Sequence, residues 1–419
     1  MQRIALLWIA AANLLAAGQR PHYGGTLRIE IRAVVRNLDP TDIAIEPAEA
    51  AAKEQLIGQV YETLVRLDDR GEPQPLLATA WIHDTARRKW VFSARSKVQF
   101  HNGVPWAPPG GVISIADDRP IEQILRDLAR PRNALVIRGS DGALVGTGPF
   151  RLAQFEPNTS IVLAANENYW GGRPFLDSIE IRMGRPLREQ ALDFEMGRAD
   201  IAEILITEVR RARQRGSIVL QSPLLETLAI VFDNAATPAQ REAVALSLDR
   251  SAIQSVLLQK WGETSGALAP QWLSGYAFVF PTDRDLIKAR QLAAGSAPLS
   301  FSYDRQDPVL QSVAERIALN AAEAGLTLRT TTGSPGLRLI RLRATQPDLE
   351  WTLDQFALAL PPVQRAASGW EREQALLEGF RVIPIVHLPA SYLVNPRVRQ
   401  WNPAVRWTLA DVWLPEARP

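Results

Sequence analysis

Apolar and polar positions alternate with a period of two at several places along this chain, and each run ends in turn residues, the pattern of short half-buried strands. Trp90 and Phe92 point one way, Val91 and Ser93 the other, and Asn102-Gly103 closes the run. Nearer the start, Leu27, Ile29 and Ile31 face inward while Arg28, Glu30 and Arg32 face water. Pro47 opens a helix on which Leu56, Val60 and Leu64 recur at i, i+4 and i+8, one face of the cylinder. The same reasoning predicts an amphipathic helix at residues 121–128, a strand at 179–182 and a helix at 187–196.

The later half is patterned differently. Residues 228–234 form an apolar run ending in Asp233-Asn234, and Thr237, Pro238 and Gln240 make a capping box for a helix with Val244 and Leu248 facing the core. Leu248-Asp249-Arg250 reads as the break after it, with Asp249 capping the next turn and a structural role for the Asp-Arg pair. Leu299, Phe301 and Tyr303 alternate in a strand; Asp307-Pro308 then caps a helix carrying Leu310, Val313, Ile317 and Ala321, which Gly325 ends before Leu326 and Leu328 begin another strand. A strand-helix-strand unit of this length gives a parallel pair with a right-handed crossover. The fold class is therefore α/β, and Leu337-Arg338-Leu339-Ile340 extends the sheet.

At 419 residues and 46% hydrophobic, the chain can bury a full core and is long enough for two or three domains. With 47 basic and 45 acidic residues it has a formal charge of only +2, and no basic run interleaved with aromatics suggests a nucleic-acid groove. There is no cysteine, which removes disulfides, thiolate metal sites, a Cys nucleophile and a lipid anchor on an N-terminal Cys. His22, His83, His101 and His387 show no metal-ligand spacing, and no Gly-x-Ser-x-Gly or phosphate loop occurs. Gly146-Thr147-Gly148 precedes a Pro and a strand and reads as a turn; Glu371 and Glu373 read as surface helix charge. These points argue against an enzyme and against a bound metal or cofactor. Residues 1–17 have the layout of a secretory signal, with Arg3 in the n-region, an apolar stretch at 4–12 and Leu15-Ala16-Ala17 at the cleavage site. That apolar stretch is shorter than the roughly 20 residues that span a bilayer, so an uncleaved anchor is the lesser reading.

Several motifs together resemble one family. A strand ending in Phe100-His101-Asn102-Gly103 is followed by Gly146-Thr147-Gly148-Pro149-Phe150 and then by Asn166-Glu167-Asn168-Tyr169-Trp170-Gly171-Gly172-Arg173-Pro174. Gly24-Gly25-Thr26-Leu27, Asn37-Leu38-Asp39-Pro40, Val60-Tyr61-Glu62-Thr63-Leu64, Leu248-Asp249-Arg250 and Ile383-Pro384-Ile385-Val386-His387 add to the match. In this the chain is similar to extracellular solute-binding protein family 5, the periplasmic receptors of peptide, opine and nickel importers of the ATP-binding-cassette type.

The resemblance implies a two-lobed periplasmic binding protein of the class II type. Lobe 1 would cover residues 24–222, with a reduced inserted subdomain at about 51–146; lobe 2 would cover 223–390, and 391–419 would return to lobe 1. Two chain crossings, near 223–234 and 387–395, would form a hinge. The insert between Pro105 and Gly146 is about half the length usual in relatives. The candidate ligand contacts are Thr41, Asp42, Tyr61, Trp106, Asn234, Trp351 and Asp354. Residues 39–42 read equally well as a turn and helix cap, and Trp351 and Asp354 equally well as a helix face against the core; if they meet ligand, they offer a ring and a carboxylate to a cation. The implied function is to bind a peptide or peptide-like solute between the lobes and deliver it to the membrane subunits of an ABC importer, as a monomer in the periplasm. A degenerate binding-protein fold acting as a periplasmic interaction or chaperone protein is the alternative, and a periplasmic hydrolase a third.

Overall fold

A computed structural model describes residues 20–42, 44, 46–140, 142–233, 235–276, 279–333, 335–360 and 369–415. The signal segment at 1–17 and Asn234 lie outside the described residues. In chain order, the strands that matter are β1 (Thr26–Glu30), β2 (Phe150–Glu156), β3 (Ser160–Ala165), β4 (Ser178–Arg182), β5 (Ile201–Glu203), β6 (Ile218–Phe232), β7 (Leu299–Tyr303), β8 (Leu328–Thr330), β9 (Leu337–Arg343) and β10 (Val382–Val394). Among the helices, α1 is Pro47–Val60, α2 Ile121–Leu128, α3 Pro308–Glu323, α4 Leu349–Ala359 and α5 Gly369–Leu377.

These strands join in one sheet in the order β8-β7-β9-β6-β10-β5-β1-β4-β3-β2. β7 runs parallel to β8 and β9, and β1 parallel to β4 and β5, as the crossover argument requires. β6 and β10 are long antiparallel partners at the centre. They tie two separate hydrophobic clusters together. Leu228 to Phe232 and Val382 to Leu388 supply one cluster with the helices around α3; Tyr392 and Val394 belong to the other, with Leu27, Ile29, Leu56 and Trp407. The molecule thus has two lobes, each with its own core. The pairing of β6 with β10 slips between Gln221 and Leu224, between Leu224 and Glu226, and between Leu228 and Ala229. Pro223, Pro384 and Pro389 sit at or next to these slips, because proline has no N–H to give the ladder. The connection between the lobes is therefore a two-stranded ribbon weakened at defined points.

The family motifs pack on one another in the first lobe. Glu62, buried just past the end of α1, accepts hydrogen bonds from Thr147 Oγ1 (2.8 Å), Tyr169 Oη (2.8 Å) and Trp170 Nε1 (3.0 Å). Gly148 O accepts from Asn166 Nδ2 and lies 3.0 Å from His101 Nε2. Burial pushes the Glu62 carboxyl above its ordinary range despite those three donors. A third, small cluster, including Phe92, Ile124 and Leu125, is the core of a small subdomain, and α2 is the predicted amphipathic helix.

Three expectations change. Glu30 does not face water: it is 1% exposed, beside Asp193 of the helix Leu187–Glu195 and 3.1 Å from Arg182 Nη2, and burial raises its carboxyl to about 7. Glu373 is not surface charge: it is fully buried and accepts from Leu268 N, Ala269 N and Tyr276 Oη. Leu64 falls outside the helix, which ends at Val60. A further buried charge, Asp200, accepts from Arg28 N and holds Arg397 through both oxygens, 2.7 and 2.8 Å. The Thr237–Gln240 capping box and the Asp249 and Asp307 caps form as predicted.

Candidate functional site

A cleft of about 430 Å³ opens between the two cores, and the sheet is its floor. The floor is charged. Leu337 and Leu339 of β9 face the second core, and the same face continues as Arg341 and Arg343, which reach past the core into the cleft. Arg343 lies opposite Glu226 of β6 in the strand register. Tyr392 of β10 and Glu203 of β5 complete the row. One wall is the N-terminal half of α1, through Ala48, Ala51, Ala52 and Gln55, with Trp407; the other holds Tyr303, Asp304 and Leu358.

The charges are wired to each other. Arg341 Nη1 lies 2.5 Å from Glu226 Oε2, and its Nη2 lies 2.8 Å from Asp307 Oδ2. Arg32 bridges Asp304 (2.9 Å) and Asp307 (3.3 Å), and its backbone N–H donates to Glu203 at 2.6 Å. Arg343 donates to Tyr392 Oη (3.0 Å) and stands 3.8 Å from Glu226, a looser pair. Burial alone would raise Asp307, yet Arg341 and Arg32 outweigh it and hold the carboxylate below its ordinary range. Burial would equally lower Arg341, and Glu226 and Asp307 reverse that. Both signs of charge are thus held ionised on one surface beside the alanines of α1, an arrangement suited to a solute that carries both signs.

A sequence model of the bacterial extracellular solute-binding proteins, family 5 (middle segment), matches residues 124–367. The chain belongs to this family. Among curated proteins, this family 5 protein is 27% identical over 238 residues to the nickel-binding periplasmic protein of Escherichia coli K12, covering 45% of each chain. It is 26% identical over 210 residues to di/tripeptide-binding protein 2 of Pseudomonas aeruginosa UCBPP-PA14, covering 43% of this chain and 38% of that protein. The matched segments thus span less than half the length of these relatives. Among solved structures, NikA from Staphylococcus aureus with Ni(L-His)2 superposes at TM-score 0.78 and 13% identity, covering 93% of this chain and all of that one. The Escherichia coli murein tripeptide binding protein MppA superposes at 0.76 and 16% identity, covering 94% and 99%. At these identities the likeness is one of fold. Members of the family are periplasmic, and among the described residues no helix is long and apolar enough to cross a membrane.

The sequence-predicted contacts of this family 5 protein fall into two groups. Thr41 and Asp42 are exposed and occupied locally: Thr41 N and Oγ1 bond Asp39 Oδ1, while Asp42 accepts from Asn37 Nδ2 and Lys53 Nζ. Tyr61 is buried in the first core, its hydroxyl pushed up to about 12 by that burial. Trp106 is half-buried, with its backbone N–H on Val98 O. None of these four lines the cleft. Trp351 and Asp354 are brought together on α4, away from the cleft lining but at the junction of the lobes. Trp351 Nε1 donates to Glu54 Oε1 of α1 (3.1 Å), and Asp354 pairs with Arg130 and Arg372, both at 2.5 Å. Sequence reasoning missed Glu203, Glu226, Arg341 and Arg343. A signal existed: Glu226 is the one charge in the apolar run 224–232, and Arg341 and Arg343 fall two apart on a strand that begins apolar on that face.

Glu54 makes a pH prediction. Its carboxyl accepts from Thr345 Oγ1 and Trp351 Nε1 across the lobe junction, and burial holds it up to about 7 against those bonds. A carboxyl raised in the fold contributes fully below its ordinary value of 4.5 and loses that contribution as pH climbs to about 7. Relative to Glu54→Gln, the native chain should therefore lose about 2 kcal/mol between those pH values, allowing for partial contact with water. Denaturant unfolding of both proteins across the window reads this, and a pH-independent difference would refute it.

Proposed function

We propose that this protein is an extracytoplasmic receptor that traps a peptide or peptide-like solute between its lobes and delivers it to the membrane subunits of an ABC importer. The observation that carries this reading is the mixed charge of the cleft floor, with Arg341 and Arg343 beside Glu226 and Glu203 in a cavity of about 430 Å³. A short zwitterion presents a carboxylate and an ammonium a few ångströms apart and can meet both signs at once. Ala48, Ala51 and Ala52 leave room against Tyr303 and Leu358 for one apolar side chain. Two relatives support the class: a di/tripeptide-binding protein and a murein tripeptide binding protein. The leader read at residues 1–17 would carry the chain across the membrane. The protein then acts as a monomeric binder without cofactor or turnover, and the solute selects the closed lobes by touching both.

A thermal-shift screen tests this with free di- and tripeptides, the same peptides N-acetylated or C-amidated, opines, sugars and nickel chelates. A solute at about a hundredfold over its Kd stabilises by about 2.7 kcal/mol, enough to raise the melting point measurably. Free peptides should do so, and capping either end should remove most of the shift. A response to sugars alone, or none to any free peptide at millimolar concentration, would defeat the proposal.

A further inference from the structure

The reduced subdomain does something other than line the cleft. Its helix α2 and the turn after it send two arginines across to the second lobe. Arg126 Nη1 lies 2.8 Å from Asp348 Oδ2, and Arg130 Nη1 lies 2.5 Å from Asp354 Oδ2. Arg130 also sets its guanidinium carbon 5.1 Å from the centre of the Trp351 ring. A carboxylate with an adjoining aromatic face is the usual chemistry for holding a cation, and here the cation comes from the chain itself. The contacts are not loose surface pairs. Asp348 is 5% exposed and Arg130 15%, and Asp348 also caps α4 through the N–H of Trp351 (2.7 Å), so its position is set by the helix it begins. Glu54 adds bonds to Thr345 and Trp351 beside them, and Gly71 packs directly on Pro347 O.

We propose that the shortened insert of this protein is a latch: Arg126 and Arg130 hold the lobes together by filling the Asp348, Trp351 and Asp354 site from within, so that closed molecules are already populated before a solute adds its own contacts to both lobes. The bonds from Arg126, Arg130 and Glu54 run from protein to protein across the junction. Removing the two arginines leaves both acceptors partnered inside their own lobe, Asp348 by the α4 N-terminus and Asp354 by Arg372, so the second lobe keeps its fold.

The test uses the full mature chain and needs no solute, so its outcome is separate from that of the ligand proposal. Because the chain has no cysteine, single cysteines at two exposed positions, Glu122→Cys in the first turn of α2 and Trp370→Cys on α5, accept a fluorophore pair flanking the latch. In the Arg126→Gln/Arg130→Gln variant, energy transfer should fall and the radius of gyration from solution scattering should rise. Two charge-assisted bonds correspond to about a tenfold or greater loss of closed over open molecules. High salt, about 0.5 M against 0.05 M, should open the parent part-way and move the variant, which keeps only the Arg32 pairs between the lobes, by less. Arg32→Gln, which removes the pairs beside the cleft and leaves the latch intact, should open the lobes less. Equal transfer and radius in the parent and the double variant, or a parent already open at low salt, would overturn the latch.

Discussion

Gly146→Ala is expected to destabilise the first lobe by about 5 kcal/mol, enough to abolish its folding in many conditions. A Cβ built at Gly146 would lie 2.2 Å from Val60 O and 2.6 Å from Tyr61 Cδ1. The first obstacle is backbone at the end of α1, held by the Tyr61 N–H to Ile57 O bond, so it cannot rotate away as a side-chain tip would. Moving the 146–148 turn outward instead breaks Thr147 Oγ1 to Glu62, Gly148 N to Val60 O and the His101 N–H to Gly146 O bond together. Glu62 would be left buried with fewer donors. Gly142→Ala is the control. Unlike Gly146 it has a left-handed φ, +80°, but it has nothing within 4 Å, so it should cost only the local strain of about 1–2 kcal/mol. Denaturant unfolding of both variants decides the matter; equal midpoints for the two would show that contact at Gly146 is not what requires glycine.

The second large effect is expected at the cleft floor. Arg341→Met should cost about 4 kcal/mol at neutral pH, because it removes the shared cation of two carboxylates that remain out of water. As cationic partners, Glu226 would keep only the looser Arg343 at 3.8 Å, and Asp307 only Arg32 at 3.3 Å beside its helix-cap bonds. The methionine restores the volume but not the charge. Because the same guanidinium floors the cavity, the variant should also lose the thermal response to free peptides. Chemical unfolding gives the first quantity and the solute screen the second. Native-like stability in Arg341→Met would mean that the floor is hydrated enough to satisfy both carboxylates without it.

Much of the architecture could be read from local pattern. The β7-α3-β8 crossover, the Thr237 capping box and the amphipathic α2 depend on interactions between residues a few positions apart, which period and turn chemistry report directly. The paired crossings near 223–234 and 387–395 were expected from the family resemblance, and the prolines at the slips of the ribbon acquired meaning only once its register was known. The spacing of the Glu62, Gly146 and Tyr169 motifs pointed to the family, although their task turned out to be packing the first lobe. Trp351 and Asp354 were recognised as cation-holding chemistry. The arginine that meets them stands more than two hundred positions earlier, at Arg130, and no local signal links the two.

Glu30 and Glu373 show where pattern fails. Each sits where alternation or helix phase predicts water, and each is buried because a distant segment covers it: the helix Leu187–Glu195 in one case, residues 268–276 in the other. The sequence by itself determined the α/β class, the order of the elements and the family, because these follow from periodicity, capping and motif spacing along the chain. Only the tertiary structure decided which charges are buried, that the cleft is floored by Glu203, Glu226, Arg341, Arg343 and Tyr392, and what Asp354 holds. The reason is physical: a side chain's solvent and partners depend on which strands of the sheet become neighbours, and here those neighbours come from parts of the chain far apart in sequence.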